Sequence, residues 1–143
     1  MAPAVFTPHV GEAATLLSCS VAEVGADRPG TVLALAQRAA GGSGVGVSVL
    51  KGAGTLIAHC QEGGQARLVG VCGHGNPGMA SAGMGDVLSG VIGGLLAQGM
   101  TLGDAASVGV AAHSKAADDA VRHTGERGLL ATDLLPELMR LLA

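Results

Sequence analysis

Val45-Gly-Val-Ser-Val-Leu-Lys-Gly-Ala-Gly-Thr-Leu-Ile-Ala-His-Cys60 is the stretch from which the fold is read. A β-branched run from Val45 to Leu50 ends in the turn Lys51-Gly-Ala-Gly-Thr55, and a second apolar run covers Leu56 to Cys60. After the turn Glu62-Gly-Gly-Gln65 a third run spans Arg67 to Val71. Short apolar runs between glycine-rich turns read as strands, and the two that flank residues 62–65 read as a β-hairpin. Upstream, Ala4 to Thr7 reads as a short strand stopped by Pro8, and Thr7 to Glu12 as a strand-end loop leading into a helix at Ala13 to Leu17. Arg28 and Pro29 open a second helical stretch with Val32, Leu33, Leu35 and Ala36 on one side, before the Gly41 to Gly46 break. Beyond residue 80 the chain reads as helical throughout. Gly83 to Gln98 carries a wide apolar face, Thr101 and Asp104 open an Ala-rich helix to Ala120, and Pro136 starts or bends a last one from Ala131 to Leu142. The order strand, helix, strand, hairpin strands and helices predicts an α/β domain, a sheet covered by helices over residues 1–143, with no internal repeat and no linker.

Composition narrows what such a domain does. Hydrophobic residues make up 48% of the chain, yet Phe6 is the only aromatic, so the core is built from Ala, Val, Leu, Ile and Met. The net charge of −3, without a basic run or stacking aromatics, argues against nucleic acid as a partner. Met1 to Asp27 holds no Lys or Arg, so the charged start of a secretory signal is missing, and the apolar run Val87 to Ala97 is too short to span a bilayer. The odd set Cys19, Cys60 and Cys72 predicts free thiols and a cytoplasmic location.

The chemistry gathers in Gly75-Asn-Pro-Gly-Met-Ala-Ser-Ala-Gly-Met-Gly-Asp-Val-Leu-Ser-Gly90. Unpaired amides at a helix start point outward with the positive end of the dipole, and glycines at 83 and 85 let an anion approach the backbone closely. Asp86 follows in the first turn, placed to accept a proton from an attacking hydroxyl. The plainer reading is that these glycines permit tight packing and that Asp86 only complements the dipole. Lys51-Gly-Ala-Gly-Thr55 weighs toward the anion site, because it lies at the C-terminal end of a strand, where α/β sheets collect ligands. Lys51 is also one of two lysines among eight basic residues.

Gly73-His-Gly-Asn-Pro-Gly78 matches the dinucleotide fingerprint literally, but Pro77 and the missing second strand with an acidic end spoil its context, and no P-loop pattern occurs. Cys60, Cys72 and His74 lack a fourth ligand and the spacing of a zinc site, so no metal centre is expected. His113 reads as a packed or capped histidine, Asp118 and Asp119 as a solvated helix face, and Met79 and Met84 as gap fillers beside the anion loop.

Thr7-Pro-His-Val-Gly-Glu12, Leu50-Lys-Gly-Ala-Gly-Thr55 and the segment Gly75 to Gly90, in this order and spacing, resemble the ADP- or ATP-dependent NAD(P)H-hydrate dehydratases of the ribokinase-like superfamily. The resemblance runs almost the whole length and implies a partial ribokinase-like fold, with a mostly parallel sheet and a β-hairpin. It implies that His9, Gly11, Glu12 and Asp86 face the hydrated NADH or NADPH, with Asp86 catalytic. Lys51, Gly52, Ala53, Gly54 and Thr55, with Asn76, Gly78, Met79, Gly83, Met84 and Gly85, would hold ADP or ATP, accompanied by Mg²⁺. The implied reaction returns hydrated NADH or NADPH to the intact cofactor through phosphorylation of its hydroxyl. The family domain is roughly twice as long, so the resemblance also implies a truncated chain, a homo-oligomer, or a missing N-terminal half supplied by another chain. Two other readings stay open: a small-molecule kinase of the same superfamily, and an inactive nucleotide-binding remnant.

Overall fold

In the computed structural model, which describes residues 2–143, the run at the centre of this reading is the strand β2 (Gly46–Leu50), buried at every position. Its alternate side chains serve two helical layers. Val47 and Val49 point to one face with Ile57, while Leu50 joins Leu56, Ala58 and Cys60 on the other. Its neighbours are β1 (Ala4–Phe6), β3 (Thr55–Cys60) and β4 (Arg67–Cys72), in the spatial order β1-β2-β3-β4.

β1 runs parallel to β2, whereas β2 to β3 and β3 to β4 are antiparallel. The sheet is therefore mixed rather than mostly parallel within this chain. A parallel pair needs a long crossover, and only the segment from residue 7 to 45 is long enough to supply one; residues 51–54 and 61–66 can only fold back. In the first of these turns Gly52 and Gly54 take φ of 146° and 68°, which side chains resist.

The crossover carries α1 (Val10–Leu17), α2 (Val21–Ala26) and α3 (Arg28–Ala40). α3 is capped by Asp27, which accepts from the Gly30 amide at 2.8 Å, and it lays Val32, Leu35 and Ala36 against the sheet with Ala13, Ala14 and Val24. The fit is close enough that a Cβ on Gly46 would lie 2.2 Å from the backbone nitrogen of Ala40. α2 was not foreseen, although the reciprocal cap between Ser20 and Glu23 marks its start.

The opposite face is covered by α4 (Met84–Ala97) and α5 (Leu102–Thr124). Leu88, Ile92 and Leu95 of α4 meet Ala105, Ala106 and Val110 of α5 over the β2 valines. α6 (Leu134–Leu141) closes the far side of α5 through Leu134 and Leu138, and Pro136 sits in its first turn, where a missing amide costs nothing. Asp119 is buried on α5 instead of solvated, because Lys115 donates to its Oδ2 at 2.6 Å and Arg122 lies 3.2 Å from Oδ1. Lys115 holds the Asp119 carboxyl below its ordinary range. Among the described residues no helix is long and apolar enough to cross a membrane.

Candidate active site

Three segments converge at the start of α4. Gly83 precedes the helix with φ of 85° and, having no side chain, leaves the first-turn amides without a cap. The helices α1, α2, α3 and α5 are each capped by a side chain, from His9, Ser20, Asp27 and Thr101. Lys51 reaches over this bare end, so that a Cβ on Gly85 would stand 2.9 Å from its ammonium nitrogen. An ammonium and the positive end of a helix dipole repel each other weakly. Held side by side, they form a cradle for an anion.

The Lys51 turn is built to present amides. Arg28, at the start of α3, donates to the carbonyls of Ala53 at 2.7 Å and Gly54 at 3.0 Å, and Thr55 Oγ1 donates to the Gly52 carbonyl at 3.1 Å. With these carbonyls taken, no backbone acceptor engages the amides of Gly52, Ala53 and Gly54 among the described residues. The turn borders a cavity of about 890 Å³, whose other walls are the loop 73–77, Met84 with Gly85, and the α5 face of Val110, His113 and Ser114. That volume is in the range of small-molecule sites.

His113 is buried on the cavity floor, and its Nε2 has no hydrogen-bond partner. It is neither capped nor fully satisfied by packing. Burial lowers the imidazole pKa below its ordinary value; the nearby Met84 backbone opposes this, and the charge of Lys51 adds to it. The ring is held neutral, an apolar floor with one polar group to spare.

A second, open depression of about 490 Å³ is bordered by Thr7, Pro8, Glu12 and Thr15. His9 heads α1 in an unusual reciprocal cap: its Nδ1 accepts from the amides of Gly11 at 3.0 Å and Glu12 at 3.2 Å, while Glu12 Oε2 accepts from the His9 amide at 2.7 Å. Gly11 lies against the His9 ring, whose Cε1 would be 3.1 Å from a Cβ placed on Gly11. The same Glu12 oxygen is 3.5 Å from Lys51 Nζ, linking the depression to the larger cavity. The His9 amide holds the Glu12 carboxyl below its usual range; burial opposes this, and the charges of Lys51 and His9 add to the lowering. Asp86 is exposed, and among the described residues no hydrogen bond or ion pair engages its carboxylate. Ser89, three residues on and on the same face of α4, meets Thr7 Oγ1 at 3.3 Å, which turns that face toward the Thr7 to Glu12 loop.

Of the residues singled out in the sequence, His9, Lys51, Gly52, Ala53, Gly54, Thr55, Asn76, Met79, Met84 and Gly85 line the larger cavity. Glu12 lines the depression instead. Gly11, Gly78, Gly83 and Asp86 border neither. Gly78 has a packing reason of its own, since a Cβ there would lie 2.6 Å from the Glu126 carbonyl. Arg28, Ser114 and Asp118 were not foreseen as part of the site. Asp118, expected in solvent, accepts hydrogen bonds from the loop that forms the cavity wall.

The free amides, Lys51 and the cavity volume suit a nucleoside phosphate. No group of three or more His, Cys, Asp or Glu side chains converges among the described residues. An ion accompanying the nucleotide would thus rest on phosphate oxygens and water, with at most one or two side chains, as Mg²⁺ commonly does.

The NAD(P)H-hydrate dehydratase family matches residues 1–140 of the chain. The bifunctional NAD(P)H-hydrate repair enzyme Nnr of Vibrio cholerae is 53% identical over 138 residues, which are 96% of this chain and 26% of that protein. The enzyme of the same name from Escherichia coli is 50% identical over 137 residues, 96% of this chain and 25% of that one. The crystal structure of ADP/ATP-dependent NAD(P)H-hydrate dehydratase from Bacillus subtilis, co-crystallised with ATP/Mg²⁺ and soaked with CoA, superposes with a TM-score of 0.81 at 28% identity. It covers 98% of this chain, which in turn spans 48% of it. The chain thus spans about a quarter of the length of these curated relatives and about half of the solved neighbour.

Proposed function

Because the chain belongs to the NAD(P)H-hydrate dehydratase family, we propose that it binds an adenine nucleotide and takes part in returning hydrated NADH or NADPH to the intact cofactor. One observation carries this reading: the Lys51 ammonium stands over Gly85 at an uncapped helix start beside a cavity of nucleotide size. The nucleotide lies in the larger cavity, with its phosphates on the amides of residues 83–85, and the hydrated nicotinamide lies along Thr7 to Glu12.

The hydrated ring carries a hydroxyl at C6. Asp86 takes the hydroxyl proton as the oxygen bonds to the terminal phosphorus and the bond from phosphorus to the bridging oxygen breaks, with the electron pair leaving on the nucleotide. Lys51 and the α4 amides hold the charge that develops on the transferring group. The ring nitrogen then donates its electron pair, the C6–O bond breaks to release phosphate, and C5 loses a proton to restore the double bond. When bound, Mg²⁺ supplies charge neutralisation on the phosphates. The free thiols of Cys19, Cys60 and Cys72 support a reducing, cytoplasmic setting.

The test is conversion of hydrated NADH, followed by absorbance of the reduced nicotinamide. It uses this chain supplied with the part of the dehydratase domain that its relatives have and it does not span. Asp86→Asn should lower the rate by about 10²- to 10⁴-fold while leaving ADP affinity unchanged. A variant with near-full rate, or a stable phosphate ester as product, would overturn the proposal.

A further inference from the structure

α5 passes beneath the loop 73–77 and offers it one carboxylate. Ser114 lines the cavity, and Asp118, four residues on and so on the same face, reaches the loop from below. Asp118 Oδ2 accepts from the Gly75 amide at 3.0 Å, and Oδ1 accepts from Asn76 Nδ2 at 3.1 Å. His74 Nδ1 lies 3.5 Å from Oδ2. Asn76 is in turn committed at its other end, where Oδ1 accepts from the Gly78 amide at 3.1 Å. Each polar end of Asn76 thus has a protein partner, Asp118 on α5 and the Gly78 amide.

Two features make this arrangement specific to a carboxylate. It presents two acceptor oxygens to two donors, where an amide would offer one acceptor and one clashing N–H group. The nearby cations do not compete for it, because Lys115 and Arg122 are engaged by Asp119. Gly75 sits at φ of 112°, and a Cβ there would meet Met79 Sδ at 3.0 Å and Ser114 Cβ at 3.9 Å, so the loop packs closely at this point.

We propose that Asp118 is a positioning residue that fixes the 73–77 wall of the nucleotide cavity through Gly75 and Asn76, so that Asn76 shapes the site instead of touching the nucleotide. The proposal rests on the nucleotide reading of that cavity. Asp118 contributes to affinity by holding the wall in its bound position before the ligand arrives, which removes an ordering cost from binding.

The test exchanges donor and acceptor. Asp118→Asn alone leaves one loop donor facing an N–H group, and Asn76→Asp alone sets two carboxylates against each other. Each should raise the Kd for ADP, measured by calorimetry on this chain, by about tenfold, the scale of a lost charge-assisted hydrogen bond. The double variant Asp118→Asn with Asn76→Asp restores the pair with its polarity reversed, and should recover affinity to within about threefold of the original. In parallel, proton exchange at the Gly75 amide, read by NMR without nucleotide, should be slow in the original chain, fast in Asp118→Ala and slow in the double variant. Singles that bind as the original does, or a double variant as weak as the product of the singles, would overturn the proposal. Should the original chain bind no ADP while the amide follows the slow, fast, slow pattern, the nucleotide reading fails and the positioning role of Asp118 in the loop stands.

Discussion

Gly85→Ala separates binding from stability. Gly85 is the second residue of α4 and has ordinary helical backbone angles, so alanine fits its conformation without strain. In a helix the change is worth about 0.5–1 kcal/mol in favour of alanine, less at the first turn, which for a chain of this size raises Tm by about 1–4 °C. The new methyl carbon would stand 2.9 Å from Lys51 Nζ, and that atom is the free end of a flexible side chain, so the collision is relieved by moving the ammonium and not the fold. Restoring an ordinary contact of about 3.5–4 Å takes a retreat of about 1 Å. For a phosphate oxygen bound at the helix start, lengthening its distance to the ammonium from about 3 to about 4 Å costs about 1.4 kcal/mol per unit charge at an effective dielectric of about 20. That is about tenfold in affinity, and the methyl group itself also takes up space where the anion would lie. Calorimetric titration with ADP, paired with a thermal melt, should show binding weakened at least about tenfold in a protein as stable as the original or more so. ADP binding within twofold of the original would refute the assignment of this helix start as the phosphate cradle. So would a loss of affinity accompanied by a clear fall in Tm.

Two further outcomes concern the scaffold and its pH dependence. Gly46→Ala drives a methyl group into the backbone of α3, 2.2 Å from the Ala40 nitrogen, and neither partner is a side chain that can swing aside, so urea denaturation should show a loss of about 3 kcal/mol or more. His113 has a folded pKa below the 6.5 of the free side chain, so the unfolded state takes up the proton first: stability should fall as pH drops below about 6.5 and level off below the folded pKa, and urea midpoints at pH 7 and pH 5.5 should differ less in His113→Gln than in the original chain. The depressed Glu12 carboxyl acts lower, its stabilisation being present above 4.5 and lost as pH falls through its folded value, so its effect sets in at lower pH than that of His113.

The strands and the anion loop were legible because their signals are local. β-branched runs broken by glycines locate β2, β3 and β4 to within a residue or so, and Gly83 and Gly85 around Met84 announce a bare helix start. Strand direction follows from connection length: the four residues 51–54 can only fold the chain back, whereas residues 7–45 are long enough to cross over to a parallel neighbour. α2 has six residues with Gly25 among them, too short for periodicity to register, and only its capping pair Ser20 and Glu23 betrays it. The parts of the site on α5 were not legible for a different reason. This helix buries residues on nearly every side, from Ala105 and Ala106 through Gly109, Val110 and Ala112 to Ala117, Asp119 and Ala120, and small residues are compatible with any neighbour. No apolar stripe then tells which face meets the sheet, which meets α6 and which looks into the cavity. His113 and Asp118 acquire their meaning from that rotation alone. Arg28 was hidden similarly, since a cation at a helix start reads as surface until the turn it clasps is placed opposite.

The poverty of aromatic residues is tied to the site as well as to the core. The small residues of this aliphatic core let helices approach closely, and here the approach has a specific gauge: a Cβ on Gly109 would lie 2.7 Å from Ile92 Cγ1. Gly109 stands four residues before His113 on α5, and Ile92 seven residues after Gly85 on α4, so this contact lies one to two turns below the place where the two helices flank the cavity. The separation it sets is what puts the His113 ring beside the Met84 backbone and within reach of the Lys51 charge. A larger residue at the crossing would wedge the helices apart, and the cost would appear at the cavity floor, around the buried imidazole whose Nε2 has no hydrogen-bond partner.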